Sequence, residues 1–91
     1  MWRLGRTDTF IRTARRFLRR RPHLRETLSQ VFAQIEEDPF DSRLRTHPLK
    51  GRMRGLHAMR VTYKVRLIAQ IDQEEHTVVL LDIGEHDEVY R

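Results

Sequence analysis

Apolar residues recur along the chain with two different periods, and the period changes near residue 40. Phe10, Ile11, Ala14, Phe17 and Leu18 fall at helical spacing, with Arg12, Arg15, Arg16, Arg19 and Arg20 on the remaining face. Thr7-Asp8-Thr9 offers capping oxygens just ahead of that stripe. The pattern predicts a first amphipathic helix. Pro22 suits the first turn of a second, whose stripe is Leu24, Leu28, Val31, Phe32 and Ile35, and Glu36-Glu37-Asp38-Pro39 ends it. A link as short as Arg20-Arg21 makes the pair an antiparallel hairpin. Trp2 to Arg6 predicts a short strand before it.

Phe40 to Lys50 reads as a loop, punctuated by Pro39, Asp41-Ser42 and Pro48. Beyond it, Leu56 to Val61, Val65 to Ile71 and Thr77 to Ile83 are rich in Val, Ile and Leu and are separated by short polar links, which favours an antiparallel meander. Val65, Leu67, Ala69 and Ile71 alternate with Arg66, Ile68, Gln70 and Asp72, so one sheet face packs on the helices and the other is partly polar. The expected architecture is a two-layer α+β fold. Its N-terminal strand and helix hairpin lie against a curved, mainly antiparallel sheet of about four strands. With 91 residues there is apolar surface for one modest core, so residues 1–91 form a single domain.

Cysteine is absent, which excludes a disulfide framework and a thiolate metal site and makes a reducing compartment the natural expectation. The N-terminus lacks the apolar core of a signal peptide, and no apolar run approaches the ~20 residues of a membrane span. A cytoplasmic protein without membrane contact is expected. The net charge of +5 hides a division: residues 1–66 hold 17 Lys/Arg against 6 Asp/Glu, and residues 67–91 hold 1 against 7. Sixteen of the 18 cations are arginine, which binds phosphate through two parallel hydrogen bonds and stacks on bases. An anionic polymer is a plausible partner. A solvated arginine face reflecting genome composition or thermal adaptation explains the charge equally well.

Arg60, Lys64 and Arg66 lie between two histidine-bearing segments, and a concave basic sheet face carrying them would hold a phosphodiester. Cutting RNA without a metal needs a base for the 2′-hydroxyl, an acid for the leaving 5′-oxygen, and cations for the charge developing on phosphorus. His47 and His86 are the candidates for proton transfer, Arg60 and Arg66 for the charge, and Tyr90 for stacking on a base. Duller readings stand beside these. His47 before a proline is more often a turn residue, His86 beside Asp87 and Glu88 fits a surface ion pair, and Arg66 fits a side chain snorkelling from a strand. His23, His57 and His76 read as structural. His86 and Asp87 have no further ligand at zinc spacing, so neither a metal nor a cofactor is expected.

The residues His47-Pro48-Leu49-Lys50-Gly51, Arg60-Val61 with Val65-Arg66-Leu67-Ile68, and Leu81-Asp82-Ile83-Gly84-Glu85-His86-Asp87-Glu88-Val89-Tyr90 resemble the RelE/ParE superfamily of bacterial type II toxin–antitoxin toxins, especially the RelE/YafQ-like messenger-RNA interferases. The likeness runs nearly the whole length. It implies metal-independent cleavage of mRNA in the ribosomal decoding site by 2′-hydroxyl attack, and neutralisation by a cognate antitoxin in a hetero-oligomer. By position, His47 matches the YafQ-like loop histidine, His86 the C-terminal catalytic histidine, Tyr90 the terminal aromatic and Arg66 the phosphate-binding arginine of RelE-like strands. Arg60 stands where YafQ-like members have a histidine and RelE-like members a lysine. Lys64 stands where YafQ-like members have an aspartate. The site resembles an intermediate between the two types, with Arg60 a charge stabiliser, and Lys50, Arg52, Arg54, Lys64 and Tyr90 the expected RNA contacts.

Two other functions fit the same fold. A ParE-like toxin inhibiting DNA gyrase needs no histidine pair, and a decayed toxin would survive as an antitoxin-binding module. His47 and His86 favour the endoribonuclease.

Overall fold

The computed structural model describes residues 1–90. Strand β1 (Arg3–Arg6) leads into helix α1 (Asp8–Arg20), whose start is fixed by the Thr7 hydroxyl accepting from the Phe10 N–H at 3.0 Å. Asp8 in its first turn and Arg19 and Arg20 in its last both complement the helix dipole. Pro22 opens a 3₁₀ turn, Pro22–Leu24, before α2 (Arg25–Glu37), so the second helix starts as 3₁₀ where an α-helical start was expected. Pro39 forces Asp38 into an extended conformation (φ −163°, ψ 105°), and α2 stops there.

The sheet has five strands, one more than expected, in the order β1-β5-β4-β3-β2. The addition is β2 (His47–Pro48), a two-residue edge strand inside the segment read as loop, followed in sheet order by β3 (His57–Arg60), β4 (Val65–Asp72) and β5 (Thr77–Glu85). Two residues are too few for alternation to show, and Pro48 is tolerated because it lies on an edge. Strand β1 runs parallel to β5, from Arg3 beside Thr77 to Arg6 beside Leu80, while the other pairs are antiparallel. The final element, helical turn α3 (His86–Val89), was not read from the sequence, because four residues carry no periodicity.

One sheet face meets the helices. Phe10, Ala14 and Phe17 of α1 and Leu28, Val31 and Ile35 of α2 pack on Met59, Leu67, Ala69, Val78, Leu80 and Ile83, all of them buried. Each large aliphatic contributes about 1.5–3 kcal/mol, and this layer is the main source of stability. The opposite face is not bare. Ala58, Ile68 and Val89 form a second small cluster, flanked by Leu49, Met53, Leu56 and Tyr90, that seats α3 and the 49–56 loop on the sheet. Among the described residues no helix is long and apolar enough to cross a membrane.

Candidate active site

Strand register places the candidate cations. Arg60 lies directly opposite Arg66 in the β3–β4 pair, and Arg66 lies opposite Gly84 in β4–β5, on the face that also carries Ala58 and Ile68. Like charges facing each other across a ladder destabilise a sheet. Neither arginine has a carboxylate within 4 Å among the described residues. The Arg66 Nη1 donates to the carbonyls of Thr62 (2.7 Å), Tyr63 (3.0 Å) and Val65 (3.2 Å), three acceptors sharing two hydrogens. Half of the guanidinium therefore braces the β3–β4 hairpin, and Nε and Nη2 are left for an anion.

His86 arrives on that face by a sharp departure from β5. Glu85 and Glu88 cap α3 reciprocally: the Glu85 carboxylate takes the Glu88 N–H, and the Glu88 Oε1 takes the Glu85 N–H at 2.7 Å. The His86 N–H donates to the Lys64 carbonyl at 3.0 Å, tying the turn to the hairpin. Arg21 adds a third tether that sequence reasoning missed inside a run of arginines. Its guanidinium sits 4.1 Å from the Phe17 ring centre and its Nη2 donates to Glu85 Oε1 at 3.2 Å, joining the helix layer to the turn. The His86 side chain remains 62 % exposed, with Nδ1 3.7 Å from Asp87 Oδ1 and the Tyr90 ring edge-on at 4.3 Å between centres. Burial raises the Tyr90 phenol above its ordinary value, and the charge of Arg66 partly opposes this. A depression of about 470 Å³ is lined by Tyr63, Lys64, Arg66, Glu85, His86 and Asp87. A smaller one of about 270 Å³ is lined by Leu49, Lys50, Arg52, Met53 and Tyr90.

Six of the expected residues thus lie along these two depressions: His86, Arg66 and Lys64 on one, Tyr90, Lys50 and Arg52 on the other, with Arg60 beside them in the sheet. Lys64 stands on the β3–β4 hairpin loop, in the link expected between those strands. Arg54 is exposed on the loop before β3. His47 is not brought to His86. It faces Ala58 from the edge strand, on the same sheet face, and β2 lies three strand spacings, ~14 Å, from β5. Its Nδ1 lies 2.9 Å from the Arg45 carbonyl, which only accepts, so Nδ1 carries the proton and Nε2 keeps a lone pair in the neutral ring. The segment leading to it is braced by Asp41, whose carboxylate takes two side-chain bonds and one backbone bond from Arg43 and is held down at a pKa of about 2. His57, read as structural, packs edge-on to Phe40; its Nδ1 is shut off from solvent without a hydrogen-bond partner, although the residue as a whole is half-buried. Burial pushes its pKa below the ordinary histidine value, and neighbouring His47 adds to the shift. Among the described residues no group of three or more His, Asp or Glu side chains is placed to hold a metal ion.

No curated protein matches the chain in sequence. Solved structures do match in fold. YafQ from Escherichia coli BL21(DE3) superposes with a TM-score of 0.81 at 13% identity, covering 100% of both chains. A chain of the E. coli DinJ–YafQ complex gives 0.79 at 13% identity, again over 100% of both. A metal-bound toxin from Helicobacter pylori gives 0.79 at 23% identity, over 99% of this chain and 100% of that one. At these identities the likeness establishes the RelE-like toxin fold alone. The family model of YafQ, the bacterial toxin of type II toxin–antitoxin systems, matches residues 2–91. With nearly every residue inside that match, the chain belongs to the YafQ family of type II toxin–antitoxin toxins.

Proposed function

We propose that this toxin is an endoribonuclease that cuts mRNA on translating ribosomes at the open sheet face, without a metal. The observation that carries the reading is the Arg60–Arg66 pair: two arginines opposed across a ladder, unpaired with carboxylates, beside a histidine on a tethered turn. Such a pair is unfavourable in the free protein and becomes favourable when a phosphodiester lies over it. The scissile phosphate sits above Arg66, whose free Nε and Nη2 face the charge that develops on phosphorus, with Arg60 alongside. The 2′-oxygen attacks phosphorus, the P–O5′ bond breaks, and His86 gives a proton to the departing 5′-oxygen. Tyr90 holds a base next to the histidine, and Lys50, Arg52, Arg54 and Lys64 hold flanking phosphates.

His47, with its lone pair on Nε2, takes the 2′-hydroxyl proton once the β2 edge is drawn toward Arg60 by bound RNA. Its substitution therefore weakens cleavage by ~10²-fold, within the range of a general base. A cognate antitoxin, by analogy with the DinJ–YafQ complex, binds the basic surface in a hetero-oligomer and silences the toxin in the cytoplasm. Primer extension on mRNA translated in a purified system tests the whole. Wild type gives cuts within codons and His86→Ala gives none; intact mRNA with wild type, or unchanged cutting by His86→Ala, contradicts the reading.

A further inference from the structure

Tyr63 has no role in the mechanism above, and its surroundings give it one. The residue stands at the tip of the β3–β4 hairpin with 79% of its surface exposed, the largest exposure of any aromatic side chain in the described residues. A hairpin tip has no use for an apolar ring, since small polar residues and glycine serve turns better. The loop beneath it is held unusually well. Val61 and Thr62 N–H groups both reach the Val65 carbonyl at 2.9 and 3.3 Å, the Thr62 hydroxyl takes the Val65 N–H at 3.2 Å, and Arg66 ties down the Thr62 and Tyr63 carbonyls. The ring is thus presented on a rigid base, and a ligand that stacks on it pays little for ordering the loop.

Its neighbours define the ligand. On one side is the His86 depression; on the other is a second depression of about 380 Å³, lined by Arg21, His23, Leu24, Thr62, Val65 and the shared residues Tyr63, Lys64 and Glu85. Tyr63 is the ridge between them. The Arg60 guanidinium approaches the ring at 5.6 Å from its centre, at the outer range of a cation–π contact. Lys64 and Arg21 supply positive charge along the second depression, His23 adds a ring that can hydrogen-bond, and the carboxylate there, Glu85, is already bonded to Arg21.

We infer that Tyr63 is the stacking platform of a base-binding subsite for a nucleotide flanking the cleaved phosphate. The RNA runs from Tyr90 past His86 and over Tyr63 into the Arg21–His23 depression. The two tyrosines hold bases on opposite sides of the cut, and Lys64 and His23 hold the backbone beyond it. A planar base is favoured over a protein side chain because Arg60 and Lys64 set positive charge beside an exposed ring, the combination that stacks a base and holds its phosphate. This inference rests on the reading of the face as an RNA site, but it predicts binding as well as cutting.

The test uses the full-length protein as wild type, Tyr63→Leu and Tyr63→Phe, each shown by circular dichroism to fold alike. A fluorescein-labelled single-stranded RNA hexamer at low salt is followed by anisotropy, and cutting of translated mRNA by primer extension. Tyr63→Leu weakens hexamer binding at least fivefold, raises the half-saturating mRNA concentration with little change in maximal rate, and alters base preference beside the cut. Tyr63→Phe restores all three. If the wild type cuts nothing but hexamer binding still depends on the ring, the cleavage reading fails and the subsite stands. Wild-type binding and cutting patterns in Tyr63→Leu overturn the subsite, as does a loss of affinity for the antitoxin alone with RNA binding intact.

Discussion

Gly84 is the point where the C-terminal turn touches the sheet, and replacing it by alanine sets two effects against each other. The glycine is buried opposite Arg66 and its φ lies outside the left-handed region, so alanine adopts the backbone without strain. Loss of unfolded-state freedom alone would then stabilise the protein by about 0.4–1 kcal/mol. Against this, the new methyl would lie 3.2 Å from Glu88 Cβ, 3.2 Å from Val89 Cγ1 and 3.3 Å from Glu88 Oε1, so the turn must retreat by a few tenths of an ångström. The turn is held from both ends, by the His86 N–H on the Lys64 carbonyl and by Val89 in its cluster, and the Glu88 oxygen that is struck is the one capping Glu85. Overpacking at a pinned contact costs ~1–3 kcal/mol, so the expected net is a loss of about 1 kcal/mol, or ~4–8 °C in Tm. Because His86 rides on the displaced turn, cleavage falls by about tenfold or more, well beyond what the stability loss explains. Thermal melting by circular dichroism and cleavage of translated mRNA read the two effects. Gly84→Ala combined with Val89→Ala should show coupling of ~0.5–1 kcal/mol, since the smaller side chain vacates the struck position. A Gly84→Ala protein that melts at or above wild type and cuts normally would refute the reasoning.

Thr7→Ala removes the acceptor for the Phe10 N–H and lowers stability by ~1 kcal/mol in urea titration, without touching the Arg60–Arg66 face. Leu67→Ala empties a fully buried site in the main core and costs ~2–5 kcal/mol, a large share of the stability of a domain of this size, read as a lowered urea midpoint on the same assay. Arg66→Lys keeps the charge but loses the geometry that braces three carbonyls and presents two donors to phosphate; cleavage falls by roughly tenfold or more, beyond what the ~1 kcal/mol lost with the brace explains. His57 has a folded-state pKa below its ordinary 6.5, so as pH falls through that value the unfolded chain takes up the proton first. Stability contributed by neutral His57 is therefore complete above pH 6.5 and declines below it. In urea titrations between pH 7.5 and 5, His57→Phe should flatten that part of the profile, and an unchanged slope would acquit His57.

The helices and the three C-terminal strands were legible because burial on one face writes itself into the sequence as a period: Phe10, Ala14 and Phe17 at helical spacing, Val65, Leu67 and Ala69 at every second position. What stayed hidden was short or made of contacts distant in sequence. His47–Pro48 is too brief to alternate, and its pairing with Ala58 and His57 exists only once the loop folds back. The α3 turn depends on a Glu85–Glu88 reciprocal cap whose carboxylates read in sequence as plain surface charge. Arg21 looked like one more arginine, because nothing local announces a bond to Glu85, sixty-four residues away. The candidate site shows the same division. Motif placed His86, Tyr90 and Arg66 together, and in the structure His86 and Arg66 line one depression while the Tyr90 ring meets His86; the separation of His47 from them follows from strand order, which a single sequence states only indirectly.

In the proposed reaction the Arg60–Arg66 face with His86 breaks RNA by attack of its own 2′-hydroxyl. End-group analysis of mRNA cut on ribosomes in the presence of EDTA tests it most directly, with an mRNA carrying one 2′-deoxy residue at a mapped cut as the partner experiment. Attack by the 2′-oxygen leaves a 2′,3′-cyclic phosphate or its 3′-phosphate hydrolysis product upstream, a 5′-hydroxyl downstream, and no cut at the 2′-deoxy position. A 3′-hydroxyl with a 5′-phosphate, continued cutting at the 2′-deoxy position, or uncut mRNA alongside inhibited gyrase supercoiling would contradict it.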